Sequence, residues 1–392
     1  MSNSIVEKQK SQNIKTILHI IRRSDGISKN AIKELTGLSF ATVSTICNEL
    51  VIKNILKEEK STAERISGRI PKQLSLERRA YYAICLDFQN LGIIDVSIQD
   101  IAKGTVLSKV ERYHSPLEVN EVLRRIHTMI MREAQVLNIH PSRFIGVGAS
   151  IAGIFDKKTE TIEECAIPQW DGLNLKYMLQ SIFEMPAYVD NEANLCVSQL
   201  LSYPSLGENS QNVVYLHIGE GIGVGVIEDG KLLSGETGYA AEISHLPIGN
   251  KRIQCSRCGN YGCAETELSK TGFIKKYTEL RNIPTASIDW DTFVRAVKSR
   301  DPLALQVMRE NAELIADCVI TLMMLFDPKE FYIGGSILDV YEYTSKTVES
   351  KIGRLGSHYV RIPVLLESRQ AQALTNGIVE MLIWRWEPFL LQ

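Results

Sequence analysis

The 392-residue chain is predicted to be an α/β protein, with an N-terminal winged helix-turn-helix followed by two tandem α/β lobes. Three observations predict this. Residues 1–79 hold 15 Lys/Arg against 8 Asp/Glu, whereas residues 80–392 hold 29 against 38, so a basic module precedes an acidic body. Apolar residues in the first module repeat at helical spacing. Beyond about residue 79 a strand meander, a glycine turn and long helices occur twice in the same order. An apolar fraction of 44% is ample for two or three domains at this length.

In the first module Ile14, Ile17, Leu18 and Ile21 share one helix face. Ser28 is placed to cap a second helix that buries Ile32 and Leu35. Gly37 then stops that helix and Ser39 caps a third. The third helix turns Val43, Ile46 and Leu50 inward, leaving Thr42, Ser44, Thr45 and Asn48 on its outer face. Two short helices joined by a glycine turn form a helix-turn-helix, and short polar side chains let the second approach base edges and phosphates. Downstream, residues 55–58 and 73–76 alternate as two edge strands. The polar loop between them carries Arg65 and Arg69, which suit phosphate or minor-groove contacts. The expected DNA-contacting set is Ser39, Thr42, Ser44, Thr45, Asn48, Arg65 and Arg69, in a module spanning residues 1–79.

The body divides into a lobe at 80–200 and a second at 201–392, with the C-terminal helix free to return to the first. Strands are expected at Ala83–Asp87, Ile93–Ile98, Thr105–Leu107 and Phe144–Ile151, with a helix over Leu117–Leu137. The second unit repeats this with strands at Val213–Ile218 and Val224–Ile227. Asp229 and Gly230 mark a hairpin, and a strand covers Phe331–Ile333 after helices over 302–326. Tandem lobes leave a cleft between them, where a small ligand binds. Trp170 fits either the cleft wall or the core, and Leu314–Phe326 fits either a dimer contact or the core.

Three thiols and one imidazole fall within nineteen residues: His245, Cys255, Cys258 and Cys263. That donor set matches a closed tetrahedral zinc site. Gly259 and Gly262 permit a tight backbone between the cysteines. A four-ligand site leaves no open position, so the zinc is structural and fixes Glu242 and Glu265 beside its ligands. The other five cysteines are scattered, which suits reduced thiols in a cytoplasm. No apolar run is long enough to span a membrane.

These residues resemble the ROK family of repressors and sugar kinases, which share an actin-like, two-lobed ATPase fold. The resemblance rests on the Gly219–Gly223 turn, Glu242 with His245, the Cys258–Glu265 knuckle and Gly334–Ser336. The appended helix-turn-helix and Asn191–Asn194 are similar to the xylose-type repressors. One spacing differs, because two residues rather than one separate Cys255 from Cys258. The resemblance implies a sugar pocket lined by Gly153, Asn191, Glu192, Glu242, His245 and Glu265. It also implies that phosphotransfer is lost. Gln89 stands where family kinases have glycine in the first phosphate loop, Glu220 where they have threonine in the second, and Glu192 where their base is aspartate.

The expected protein is therefore a sugar-responsive repressor, not an enzyme, acting as a homodimer or homotetramer on operator DNA with a monosaccharide effector, xylose first. A sugar kinase carrying a DNA-binding head and a regulator driven by a protein partner are the alternatives.

Overall fold

The computed structural model describes residues 2–24, 26–60, 72–88, 92–102, 104–113, 119–165, 168–201, 212–249, 253–356, 362–367 and 370–386. The head begins with α1 (Ser2–Arg23), whose Ile14, Ile17, Leu18 and Ile21 are all buried. α2 (Lys29–Thr36) starts at Ser28, whose hydroxyl accepts from Ala31 N–H, and stops at Gly37 in the left-handed region at φ 67°. α3 (Phe40–Ile52) is capped by Ser39 and buries Val43, Ile46 and Leu50. Ile32 is buried as expected, but Leu35 is 43% exposed. A residue three positions on lies about 60° off the contact line set by Ile32, and this short helix packs along that line alone. β1 (Leu56–Lys60) and β2 (Lys72–Leu76) pair antiparallel from Leu56 opposite Leu76. Arg65 and Arg69 lie outside the described residues, as does Gln89.

The first lobe is built on β3 (Tyr82–Asp87), β4 (Ile93–Asp100) and β5 (Gly104–Arg112), then α4 (Val119–Val136) and β6 (Phe144–Ile151). A small hairpin, β7 (Ile154–Asp156) and β8 (Thr161–Glu163), precedes α5 (Leu175–Phe183), β9 (Ala187–Asn191) and α6 (Glu192–Leu200). The sheet order is β5-β4-β3-β6-β9, antiparallel through the meander and parallel from β3 to β9. The second lobe repeats the plan with β10 (Val213–Ile218), β11 (Ile222–Glu228) and β12 (Lys231–Leu232). Helices α7 (Ala264–Leu268), α8 (Lys270–Arg281), α9 (Trp290–Lys298) and α10 (Pro302–Phe326) follow. β13 (Glu330–Gly334), α11 (Ser345–Arg354) and β14 (Val364–Glu367) complete a sheet ordered β12-β11-β10-β13-β14. Its β10–β13 and β13–β14 pairs are parallel. Asp229 and Gly230 both have positive φ in the β11–β12 turn, as a two-residue hairpin requires.

The last helix, α12 (Gln370–Arg385), packs on β6 and on α6. Gly377 meets α6 so closely that an added Cβ would lie 1.9 Å from the Leu195 carbonyl oxygen. Leu374, Ile378 and Leu382 of α12 belong to the same buried cluster as Ile14, Ile17 and Ile21 of the head. Glu380, fully buried, joins the two: Oε1 lies 2.6 Å from His19 Nδ1 and Oε2 lies 3.0 Å from Arg22 Nε.

Trp170 is a core residue. Its ring lies 4.9 Å from Phe88 and 6.4 Å from Tyr113. Within α10, Ile315, Ala316, Cys318, Val319, Leu322 and Met323 are core as well, while Met324 and Leu325 are exposed. Among the described residues no helix is long and apolar enough to cross a membrane.

Candidate functional site

Residues 253–263, just before α7, fold as a knuckle. Cys255 N–H donates to Asn260 C=O at 2.7 Å, Gly259 N–H to Cys255 C=O at 3.0 Å and Gly262 N–H to Ile253 C=O at 2.9 Å. Gly259 and Gly262 sit at φ 72° and 77°, positions that disfavour a side chain. The ligand atoms of His245, Cys255, Cys258 and Cys263 all lie within 4.8 Å of one another. Cys258 Sγ is 3.5 Å from Cys263 Sγ, and Cys255 Sγ is 3.8 Å from His245 Nδ1. Tetrahedral zinc with bonds of about 2.0–2.3 Å separates its ligand atoms by roughly 3.5–3.8 Å. The four side chains therefore fit a zinc ion, with His245 offering Nδ1. Its Nε2 lies 3.0 Å from Glu164 Oε2, the carboxylate partner that orients a metal-binding imidazole.

The knuckle also builds a wall. Glu265 N–H donates to Ser244 C=O at 3.0 Å and Ala264 N–H to Leu246 C=O at 2.9 Å, which holds Glu242 and Glu265 side by side. Both line a cleft of about 730 Å³, including its open mouth, together with Gly153, Asn191 and Glu192. Five of the six expected sugar-pocket residues thus meet in one cavity. His245 is not among the lining residues; its ring turns toward the cysteines and approaches the cleft through Glu164. Gly153 does line the cleft, yet a Cβ there would strike Cys165 Cα at 2.9 Å, so that glycine accommodates neighbouring backbone.

Asn191 is anchored at both ends. Its Oδ1 accepts from Asn194 N–H at 2.8 Å, capping α6, and its Nδ2 donates to Glu242 Oε1 at 3.1 Å. Burial pushes the Glu242 carboxyl up to about 7, and the negative charges of Asp190, Glu164 and Glu265 push the same way. The Asn191 hydrogen bond opposes them. Two lining or flanking residues without glycine's freedom, Glu164 at φ 49° and Ala241 at φ 62°, sit in the left-handed region, a form of strain common at ligand sites.

The glycine turn after β10 contributes Glu220 to the rim. Lys270 holds that carboxylate at 2.7 Å, and its own N–H donates to Gly219 C=O at 2.8 Å. Glu192, at the start of α6, lies 3.0 Å from His217 Nε2. Sequence reasoning missed Glu164, His217, Ser244 and Arg257 on the lining and Lys270 behind it. Arg257 carried a signal, since it lies between two ligands, Cys255 and Cys258. His217 carried a weaker one, as a polar residue near the end of a buried strand. Glu164 lies 81 residues from His245, and nothing in the sequence joins them.

On the head, Thr45 and Asn48 are exposed while Thr42 and Ser44 are half-buried. Ser39 serves α3 directly, accepting from Thr42 N–H at 3.1 Å. Asn48 Oδ1 accepts from Lys29 Nζ at 2.8 Å, which brings a cation to the same face.

The fold is that of a helix-turn-helix head joined to two α/β lobes with a polar cleft. The chain belongs to the ROK family, whose family model matches residues 94–381. It is 26% identical over 383 residues to a xylose repressor of Bacillus spizizenii, covering 95% of this chain and 96% of that one. It is 22% identical over 397 residues to the transcriptional dual regulator NagC of Escherichia coli, at 95% and 96% coverage. Among solved structures it is similar to a ROK family transcriptional regulator described as a homologue of the E. coli MLC protein. That match has a TM-score of 0.79 and 19% identity, and covers 97% of this chain and 98% of that one. A ROK glucokinase from Streptomyces griseus, solved with glucose and AMPPNP, gives a TM-score of 0.61 at 22% identity over 76% of this chain and 97% of its own. These structural likenesses concern the fold.

Proposed function

We propose that the chain is a transcriptional repressor whose grip on operator DNA is set by a monosaccharide held between its lobes. The carrying observation is the cleft itself, where Asn191, Glu192, Glu242 and Glu265 converge with acceptors and a donor suited to vicinal hydroxyls. Asn191 and Glu192 open α6, α6 packs on α12, and α12 delivers Glu380 to His19 and Arg22 of the head. A sugar that draws the lobes together has a continuous path of packed groups to the reading helix. The repressor names of relatives matched along the whole chain support the same reading, and xylose is the first candidate.

In this reading residues 1–79 form the DNA-binding module, 80–200 the first lobe and 201–392 the second, with α12 returned to the first. Thr45, Asn48, Arg65 and Arg69 contact the duplex, and two heads of a homodimer, or of a homotetramer, occupy successive half-sites. Zinc in the His245, Cys255, Cys258 and Cys263 site is structural and keeps Glu242 and Glu265 in place. The protein acts in the cytoplasm. Phosphotransfer is absent, because Glu220 and its lysine occupy the phosphate turn and His217 engages the residue at the base position. Fluorescence anisotropy of labelled promoter DNA, titrated with protein in the presence of single sugars, tests the proposal. One sugar should shift the DNA dissociation constant at least tenfold. Conversion of ATP and a sugar to ADP and the sugar phosphate would instead make the chain a kinase. Indifference to every sugar with operator binding intact would favour a protein partner.

A further inference from the structure

Granting that the cleft holds a sugar, we propose that it selects one carrying no anionic group, and that the Glu220–Lys270 pair closes it to sugar phosphates. The lining is heavily acidic: Glu164, Glu192, Glu220, Glu242 and Glu265 face basic side chains only from Arg257 and His217 among the described lining residues. Both basic groups are already engaged. Arg257 Nη1 donates to the Glu164 carbonyl at 2.5 Å, and its Nε lies 3.9 Å from Glu265 Oε1. His217 lies 3.0 Å from Glu192.

The glycine turn is the part of such a cleft that would otherwise receive a phosphate, through backbone amides and a nearby cation. Here Gly219 N–H donates to Gly221 C=O at 2.9 Å, inside the turn itself. The cation is present, but Lys270 is bound to Glu220 at 2.7 Å and tied by its backbone to Gly219. The rim therefore offers a carboxylate that is itself half exposed, with a side-chain exposure of 48%. A phosphomonoester adds between about −1.5 and −2 charges at neutral pH, and it would meet five carboxylates against one arginine and one histidine among the described lining residues. A carboxylate on a uronic acid meets the same field at smaller charge. Neutral hydroxyls meet acceptors throughout, and burial leaves Glu242 able to share a proton with them.

Isothermal titration of the full-length, zinc-loaded protein decides this with matched probes: xylose, glucose, N-acetylglucosamine, glucose 6-phosphate, N-acetylglucosamine 6-phosphate and glucuronate. Whichever neutral sugar binds should exceed its phosphate by at least about 100-fold, or about 2.8 kcal/mol at 1.4 kcal/mol per tenfold. In Glu220→Gln the ratio of neutral to phosphorylated affinity should fall at least tenfold, whatever happens to either affinity alone. A loss of folding would move both affinities together and leave that ratio fixed. A phosphate that binds as tightly as its parent sugar overturns the inference while leaving sugar sensing intact. A ratio unchanged in Glu220→Gln, with the neutral sugar still bound at its wild-type affinity, overturns the role of the pair. Binding of no probe in either form overturns the sugar reading and this inference with it.

Discussion

Replacing Glu380 with alanine should cost about 3–5 kcal/mol of stability, a large share of what a domain of this kind possesses. Glu380 is fully buried, and its two oxygens are held at 2.6 Å by His19 and at 3.0 Å by Arg22. The Arg22 side chain is only 1% exposed and also donates to the Ile101 carbonyl. Desolvation lowers its pKa, and the negative charge of Glu380 is the largest influence opposing this. Truncating the glutamate therefore leaves a buried guanidinium with its main counter-charge gone, which is the costly event. Removing both charges together is a different matter, because apolar groups of similar volume can replace a buried pair at little cost. The double variant Arg22→Met with Glu380→Met should recover most of the loss. The assay is urea unfolding followed by tryptophan emission. Trp384 lies 5.2 Å from the His19 ring and Trp386 lies 4.8 Å from Tyr81, so the signal reports on the junction. A loss under about 1 kcal/mol for Glu380→Ala, or a double variant no better than the single, would refute the reasoning.

Cys258→Ser should lower bound zinc below one equivalent and reduce thermal stability; a full equivalent with unchanged melting removes Cys258 from the ligand set. Thr45→Ala should weaken operator binding by about tenfold without altering sugar affinity, and a parallel loss of sugar binding would contradict the separation of the two sites. Asn191→Ala deletes the cap of α6 and the donor to Glu242, so it should cost about 1 kcal/mol by melting and abolish the sugar response; a normal response in anisotropy counts against its place in the clamp. Glu242→Gln should leave protein stability flatter between pH 5 and 8. The wild-type carboxyl titrates higher when folded than when unfolded, so its folded form favours the proton and loses stability as pH rises from about 4.5 through about 7. Equal pH profiles for the two proteins in urea titrations would remove that role.

Much of this architecture was legible because short-range rules set it. Ser28, Gly37 and Ser39 announced three helix boundaries, and each occupies the cap expected of it. Asp229 and Gly230 announced the β11–β12 turn. The metal cluster was legible because its donors lie close in sequence and have no other common use in that spacing. Leu35 misled because helical spacing identifies a face but not its width. The cleft was half legible: Asn191, Glu242 and Glu265 belong to recognisable strings, whereas Glu164, His217 and Lys270 arrive alone, from separate elements, by topology. Lys270 shows the limit well. Its ion pair with Glu220 spans fifty residues, and only the packing of α8 behind the glycine turn brings them together.

Gly377 leaves no slack between α12 and α6. At that point backbone faces backbone, without the cushion of side chains that elsewhere absorbs a small slide by hopping between rotamers. A displacement of one helix there is passed to the other by direct backbone contact. A larger residue at that point would loosen the joint, and a protein so altered could read its ligand and its DNA independently while hearing nothing of one from the other.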